Sequence, residues 1–328
     1  MVYGVMVAQK GYDILEFMSK SKVTKAVIAV AGYGTRFLPA TKNQPKEMLP
    51  IIDKPIVQYL VEEAVKSGIK DVILVTRFGQ TSLENHFDSN LELEIQLEKN
   101  GKKKQLKEVQ RVYRMANYVY VRQGRHLPYG NGTPLLCVKN LLVPGERFVY
   151  MFGDDLVLAK KPCTKQMIEY SDKKGGEVTV AVQEVTKEEA TRYGIYRLQP
   201  GSNDKVKDVV EKPDKDKLPS PMLAQFGRFV LNTEVIKVLE RHNKAGKLGK
   251  DKELWLTDAI SEYAKKKPVY AARLDGKWMT TGDPLRYMKT VVEFGLERKD
   301  IGPEFEKYLK ELMMARHGCG DEGECGCE

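Results

Sequence analysis

From residue 25 onward the chain alternates unbroken apolar runs with stretches whose apolar residues recur every three to four positions. KAVIAVA (25–31) is apolar after its first residue and stops at Gly32. A strand covered on both faces has no use for polar alternation, so this run predicts a buried parallel strand. IVQYLVEEAVKSG (56–68) instead sets Ile56, Leu60 and Ala64 on one face, the period of a helix lying against a core. DVILVT (71–76) is a second buried strand, and YVYVRQ (118–123) and FVYMFGDD (148–155) repeat the pattern, each followed by a helical segment. Strand, helix, strand, helix predicts an α/β fold, a mostly parallel sheet with helices on both faces. Beyond Gly176 the strands crowd together as VTVAVQEV, GIYRL, KDVVEK and FGRFVLN, which predicts a smaller β-rich extension, antiparallel or mixed. A last helix, PEFEKYLKELMMARH, places Phe305, Leu309 and Leu312 on one side, a face for the body or for a second subunit. With no internal repeat, the expected organisation is an extension (1–22), one body (23–297), a helix (298–316) and a tail (317–328).

Composition narrows the class. The 328 residues are 42% hydrophobic and 30% charged, the balance of a soluble globular chain rather than a disordered one. No apolar run approaches the roughly 20 residues that span a bilayer. The opening MVYGVMVAQKGYDILEF lacks a basic segment and a small-residue cleavage pattern, so no secretory signal is expected, and Met18 is an alternative start. The net charge of +9 raises the question of nucleic acid. Its clusters, Lys102–Lys104 and Lys265–Lys267, carry no interleaved aromatics and read as solvated faces. A basic chain also suits phosphorylated ligands through steering. Of five cysteines, Cys137 reads as a small core residue and Cys163 opens a helix after Pro162. His317, Cys319, Cys325 and Cys327 crowd the tail, either as a zinc site of unusual spacing or as an unstructured end. Nothing suggests a disulfide framework, so a reducing cytoplasm is the expected compartment.

The strongest chemistry follows the first strand, in AGYGTRFLPATKNQPKEMLPIIDKP (31–55). A glycine-rich turn there brings backbone N–H groups close to a phosphate or a flat base. Gly32 and Gly34 permit the approach, Thr35 offers a hydroxyl, and Arg36 and Lys46 place two cations over a polyanion. Phe37 replaces the third glycine of a dinucleotide fingerprint, and the GK[ST] of a P-loop is missing. Asp154, ending a buried strand, is the metal candidate; Asp155 should point to the opposite face and ranks second.

The segment resembles the prokaryotic UTP–glucose-1-phosphate uridylyltransferase family, and further signatures follow in order. They are LENHFD (83–88), YVRQG (120–124), GNGTPLL (130–136), GDDLVL (153–158), RYGIYRL (192–198), VVEKP (209–213), FGRFVL (226–231) and LTDAI (256–260). The resemblance implies a Rossmann-like sheet of the nucleotide-diphospho-sugar transferase, GT-A-like type, with Mg²⁺ as cofactor, UTP and a hexose 1-phosphate as substrates, and a homo-dimer or homo-tetramer. It implies that Ala31, Gly32 and Gly130 meet the base through their backbones while Gln123 reads uracil with its amide. Arg36 and Lys46 would hold the triphosphate, and Lys212 the phosphate of the incoming sugar. Glu211 would accept from sugar hydroxyls, with the backbones of Gly194 and Gly227 closing over the hexose. The implied reaction is an in-line attack of the sugar phosphate on the α-phosphorus of UTP.

Two departures keep alternatives open. The family carries a second metal-binding aspartate where this chain has Thr280, and Asp283 is the nearest replacement. GNGTPLL lacks a histidine common near its third position. dTTP as donor, galactose or N-acetylhexosamine phosphate as acceptor, and a non-catalytic sugar-nucleotide-binding regulator therefore stay open. A GT-A glycosyltransferase would explain Gly153-Asp154-Asp155 but not GTR with PKEMLP.

Overall fold

A computed structural model describes residues 22–317, so the N-terminal extension with Met18, the cysteines of the tail and the side chain of His317 lie outside the described residues. The strands are β1 (Lys25–Ala29), β2 (Pro50–Ile51), β3 (Lys54–Pro55), β4 (Asp71–Thr76), β5 (Asn117–Arg122), β6 (Arg147–Phe152), β7 (Asp155–Leu158), β8 (Val178–Glu184), β9 (Gly194–Leu198), β10 (Val206–Glu211), β11 (Leu223–Asn232), β12 (Val269–Arg273) and β13 (Lys277–Thr280). A nine-stranded sheet runs β10-β9-β11-β6-β1-β4-β5, with β8 on the other side of β11 and β12 beyond it. β6, β1, β4 and β5 are mutually parallel, whereas β11 is antiparallel to β6, β8 and β9. The β-rich extension expected after Gly176 is thus built into the same sheet, with β11 as the junction. β7 pairs with β13 as a separate two-stranded ribbon.

The apolar runs are explained by the two cores. Val27, Ile73, Val75, Phe148 and Tyr150 point to one face, under the helices Thr133–Val138, Thr233–Lys244 and Leu256–Ala264. Ala26, Ile28, Val72, Leu74, Val149 and Met151 point to the other, where the helix Ile56–Lys66 and the helix Cys163–Lys173 cover them. Alternate residues of one strand serve opposite cores, so every position must be apolar.

A buried ion pair ties the second layer together. Arg228 on β11 is fully buried and donates from Nε and Nη2 to the two carboxylate oxygens of Glu63, at 3.0 and 2.9 Å. Glu63 also accepts from the Thr164 backbone and hydroxyl. Burial would raise its pKa, but Arg228 outweighs that and holds it below the usual carboxylate range. Glu63→Gln leaves a guanidinium buried without its charge, so chemical denaturation should show a loss of about 3–5 kcal/mol. A loss below about 1 kcal/mol, the value of an exposed pair, would show that the pair does not hold these elements.

The final helix, Gly302–His317, docks on the helix Pro284–Leu296, with the Phe305 ring close against Gly295. Phe305 and Leu309 are half-buried there, while Leu312 stays exposed. Cys137 is half-buried against the first core and Cys163 is buried at the start of its helix. Lys102–Lys104 and Lys265–Lys267 are all exposed. No helix among the described residues is long and apolar enough to cross a membrane.

Candidate functional site

β1, β4 and β6 end in register, Ala29 lying beside Val75 and Phe152, so the segments leaving them share one edge of the sheet. Ligand sites of open α/β sheets lie at such carboxyl ends. Gly153 donates to the Ala29 carbonyl at 3.1 Å, and a Cβ built on it would stand 2.6 Å from that oxygen. Only glycine lets the strand turn there and deliver Asp154 to the edge.

Lys46 arrives from the opposite side. The chain from Gly32 to Pro45 loops out and returns, and a turn of 3₁₀ helix at Lys46–Met48 aims the ammonium at Asp154, 2.5 Å from Oδ2. Burial alone would lower the Lys46 pKa, but Asp154 and then Glu47 more than reverse this and keep it charged. Burial likewise pushes Asp154 up, and Lys46 holds it below its ordinary value. Asp155 behaves differently: burial and the neighbouring Asp154 push it up to about 6. Both its oxygens are engaged, Oδ2 by Gly227 N–H at 2.9 Å and Oδ1 by Trp278 Nε1 at 2.8 Å. It therefore organises the floor of the site. Glu47, 1% exposed, is pushed up to about 8 by burial, with Lys46 opposing the rise.

Two cavities meet at this junction. The smaller, of about 250 Å³, touches Ala31, Gly32, Lys46, Gln123, Gly130 and Asp154. The larger, of about 960 Å³, touches Arg36, Asp154, Asp155, Gly194, Glu211 and Lys212. Asp154, Glu211 and Lys212 border both, as do Asn131 and Phe152. Gln123 is fixed at the end of β5 by its N–H to the Thr76 carbonyl, 2.7 Å. Gly130 has φ 130°, and a Cβ there would fall 2.4 Å from the Leu254 carbonyl, so its closeness to the 250s loop requires glycine. Lys212 follows β10 in the left-handed region, φ 44°, a conformation a lysine holds only where its surroundings over-determine it. Its N–H donates to the Tyr193 carbonyl at 3.1 Å, and its ammonium lies 5.9 Å over the Trp255 ring. Glu211 is raised above its usual pKa by burial, and its Oε2 has no hydrogen bond of good geometry among the described residues.

Three of the expected residues stand apart from the cavities. Gly34 is left-handed at the head of a turn, and its carbonyl accepts the Thr41 hydroxyl at 2.7 Å. Thr35 lies exposed in that turn. Gly227 lines neither cavity, because its N–H goes to Asp155 and a Cβ on it would meet Phe152 at 2.3 Å. Its place is beneath the floor. Arg36 is exposed, with Nη1 on the Gly282 carbonyl at 3.1 Å. Asp283 caps the helix Pro284–Leu296, accepting from Arg286 N–H at 3.0 Å and pairing with its guanidinium at 2.7 Å. Thr280 sits beside Asp154, its hydroxyl 3.5 Å from the Asp154 carbonyl, and Thr281 donates its N–H to the same oxygen at 2.7 Å. A hydroxyl thus occupies the place where the resemblance leads one to look for a carboxylate.

Sequence reasoning passed over Tyr129, Asn131, Glu253 and Trp255, which also border the smaller cavity. They come from two irregular loops joined by Leu254 N–H to the Tyr129 carbonyl at 2.7 Å and Leu256 N–H to Asn131 Oδ1 at 2.8 Å. No periodic pattern announces such a pairing; only the aromatic residues flanking Gly130 and Leu254 hint at it.

The chain matches the nucleotidyl transferase family over residues 25–294. It is 41% identical over 296 residues to the UTP–glucose-1-phosphate uridylyltransferase YngB of Bacillus subtilis, covering 90% of this chain and 97% of that one. A UTP–glucose-1-phosphate uridylyltransferase of Staphylococcus epidermidis is 39% identical over 293 residues, 89% and 99% of the two chains. Among solved structures, a UTP-bound UGPase from Acinetobacter baumannii superposes with a TM-score of 0.78 at 34% identity, over 89% of this chain and all of that one. A UDP-glucose pyrophosphorylase complexed with UDP-glucose gives 0.74 at 34% identity, over 84% and all of the two chains.

Proposed function

The chain belongs to the nucleotidyl transferase family, among the UTP–glucose-1-phosphate uridylyltransferases, and from that premise we propose that it joins UTP to glucose 1-phosphate, giving UDP-glucose and pyrophosphate. The observation that carries the reading is the junction of the two cavities, where Lys46, Asp154 and Lys212 lie between a base-sized pocket and a sugar-sized one. Two substrates seated there bring their phosphates together.

In this proposal Gln123 reads uracil, whose edge sets one N–H between two carbonyls, with an amide that both donates and accepts. The backbones of Ala31, Gly32 and Gly130 flank the base, while Lys46 and Arg36 hold the triphosphate. Lys212 grips the phosphate of the acceptor, and Glu211 and the Gly194 backbone face the hexose. The sugar-phosphate oxygen attacks the α-phosphorus, the bond to the bridging oxygen breaks, and pyrophosphate leaves with that electron pair. The protein contributes positioning and fixed positive charge, with no covalent intermediate.

A divalent cation fits the site through its donor set. Asp155 has both oxygens taken and Asp283 is held by Arg286, which leaves Asp154, whose Oδ2 also takes the Lys46 ammonium, and the Thr280 hydroxyl beside it. One carboxylate suits Mg²⁺, which keeps most of its waters and takes other ligands from substrate phosphates. When bound, it supplies charge neutralisation on the phosphate oxygens. A cytoplasmic location follows from the proposed substrates. A homo-dimer or homo-tetramer is also part of the proposal, supported by exposed Met288, Tyr308, Met313 and Met314 on the last two helices.

Pyrophosphate release tests the reading, with UTP, glucose 1-phosphate and Mg²⁺ each omitted in turn. Release is expected only when all three are present. Protein that binds UTP yet releases nothing with glucose 1-phosphate or any other hexose 1-phosphate would overturn the assignment.

A further inference from the structure

A carboxylate that accepts from hexose hydroxyls must be held in one orientation, and Glu211, at the end of β10, makes no hydrogen bond from Oε2 that would hold it. What stands behind it is the helix Leu256–Ala264, which packs along β10. Ser261 fixes their alignment. Val209 N–H donates to its hydroxyl oxygen at 2.9 Å, and the hydroxyl reaches back to the Val209 carbonyl at 3.3 Å. Thr257 lies one turn before Ser261, and Glu211 two residues beyond Val209. Four helical residues climb about 6 Å and two strand residues span about 6.7 Å, so the Ser261 contact brings Thr257 level with Glu211.

A Cβ built on Gly194, the residue that pairs with Glu211 across the sheet, shows how closely the side chains meet. It would stand 2.8 Å from Thr257 Cγ2, 2.9 Å from Glu211 Oε2 and 3.2 Å from Gln225 Cδ. Gly194, Glu211 and Gln225 line the larger cavity, whereas Thr257 is fully buried behind them. Gln225 is held in place by the Tyr196 hydroxyl, which donates to Oε1 at 3.0 Å.

The Thr257 hydroxyl is buried without a hydrogen bond of good geometry among the described residues, as is Glu211 Oε2. It does not take the usual outlet of a helical threonine, the carbonyl four residues back. A group able to donate and an oxygen able only to accept are therefore left facing each other. The hydroxyl draws the Glu211 pKa down against the burial that raises it, as a donor to a carboxylate does. Hydrogen bonds around a reacting centre are often long in the free enzyme and tighten once substrate is bound.

We propose that Thr257 is a positioning residue for Glu211, its hydroxyl donating to Oε2 so that the other carboxylate oxygen is turned to the hexose. This rests on the reading of the larger cavity as the hexose site.

The test compares the wild type with Thr257→Val, which keeps the shape and loses the hydroxyl, and Thr257→Ser, which keeps the hydroxyl. Thr257→Val should lower kcat/KM for glucose 1-phosphate about ten- to a hundred-fold, the cost of a lost hydrogen bond to a charged group, with KM for UTP within about twofold of wild type. Thr257→Ser should restore kcat/KM to within about threefold. The acid side of the pH profile adds a readout that packing alone does not move. Glu211 is faced by Lys212, which lowers its pKa, by Asp258 and Glu253, which raise it, and by the buried Tyr196 phenol. All of these stay in Thr257→Val, so the carboxyl rises further above its ordinary value and activity should fall away at a higher pH than in wild type. A valine variant with wild-type kcat/KM and pH profile, or a loss that serine does not restore, would make Thr257 a packing residue only and overturn the proposal. Thr257→Ala gives the same reading if the valine variant folds poorly. Calorimetric Kd values for UDP-glucose and UDP need no turnover, and Thr257→Val should weaken the first about tenfold while sparing the second. A wild type that releases no pyrophosphate would sink the uridylyltransferase reading instead, and these Kd values would still judge Thr257.

Discussion

Replacing Lys46 by alanine should lower kcat for UDP-glucose formation about a hundred- to a thousand-fold, the loss typical when a preorganised charge at a reacting centre is removed. The structure makes this residue hard to replace. Its ammonium is the cation 2.5 Å from Asp154, and Glu47 and Asp155 add their fields to hold it charged. Without it, Asp154 loses the partner that keeps it ionised in a buried setting, so charge on the transferring phosphoryl group and the disposition of Asp154 are disturbed together. Lys212→Ala should cost a similar factor with a different signature. Lys212 borders both cavities from the sugar side, so its loss should raise KM for glucose 1-phosphate as well as lower kcat, with KM for UTP little changed. Steady-state kinetics with each substrate varied in turn separates the two. Near-normal rates in both variants would remove these lysines from the proposed chemistry.

How much of the fold and of the candidate site the sequence makes legible follows from how each residue is positioned. β1 and β4 are buried on both faces, so they read as unbroken apolar runs, and the segment leaving β1 had to carry any ligand chemistry. Strand ends at Asp71–Thr76 and Gly194–Leu198 coincide with the apolar and turn signals that predict them. The same reasoning overreached within the glycine-rich turn. It treated Gly34 and Thr35 as part of a cradle, yet the Thr41 hydroxyl, seven residues on, takes the Gly34 carbonyl and leaves Thr35 on the outside. It expected Gly227 over the hexose and Asp155 on the far face. Trp278, 123 residues away, instead joins them in one buried network beneath the site. Glu63 and Arg228 are 165 residues apart, and neither lies in a pattern that marks a buried charge. Local periodicity reports burial, not partners, so contacts that couple distant loops appear only once the fold has brought them together.

Asp154→Asn should nearly abolish pyrophosphate release, by about a thousand-fold, or about 4 kcal/mol at 1.36 kcal/mol per tenfold change. Asparagine preserves the shape and an acceptor oxygen but removes the charge that both Lys46 and a divalent cation require. Asp155 cannot substitute, because Gly227 and Trp278 occupy its oxygens, and Asp283 is held by Arg286. The single-carboxylate arrangement has a second consequence. Thr280 is adjacent to Asp154, so Thr280→Asp puts another carboxylate at the junction. That variant should bind Mg²⁺ more tightly, reaching half-maximal rate at a lower Mg²⁺ concentration and showing a stronger Mg²⁺ dependence of UTP affinity by calorimetry. In the absence of Mg²⁺ the same variant should bind UTP more weakly than wild type, because two unscreened carboxylates then face the triphosphate. Opposite shifts with and without the ion are the signature of a residue beside the metal position; a Thr280→Asp protein whose UTP affinity is the same in both conditions would place the cation away from Asp154 and Thr280.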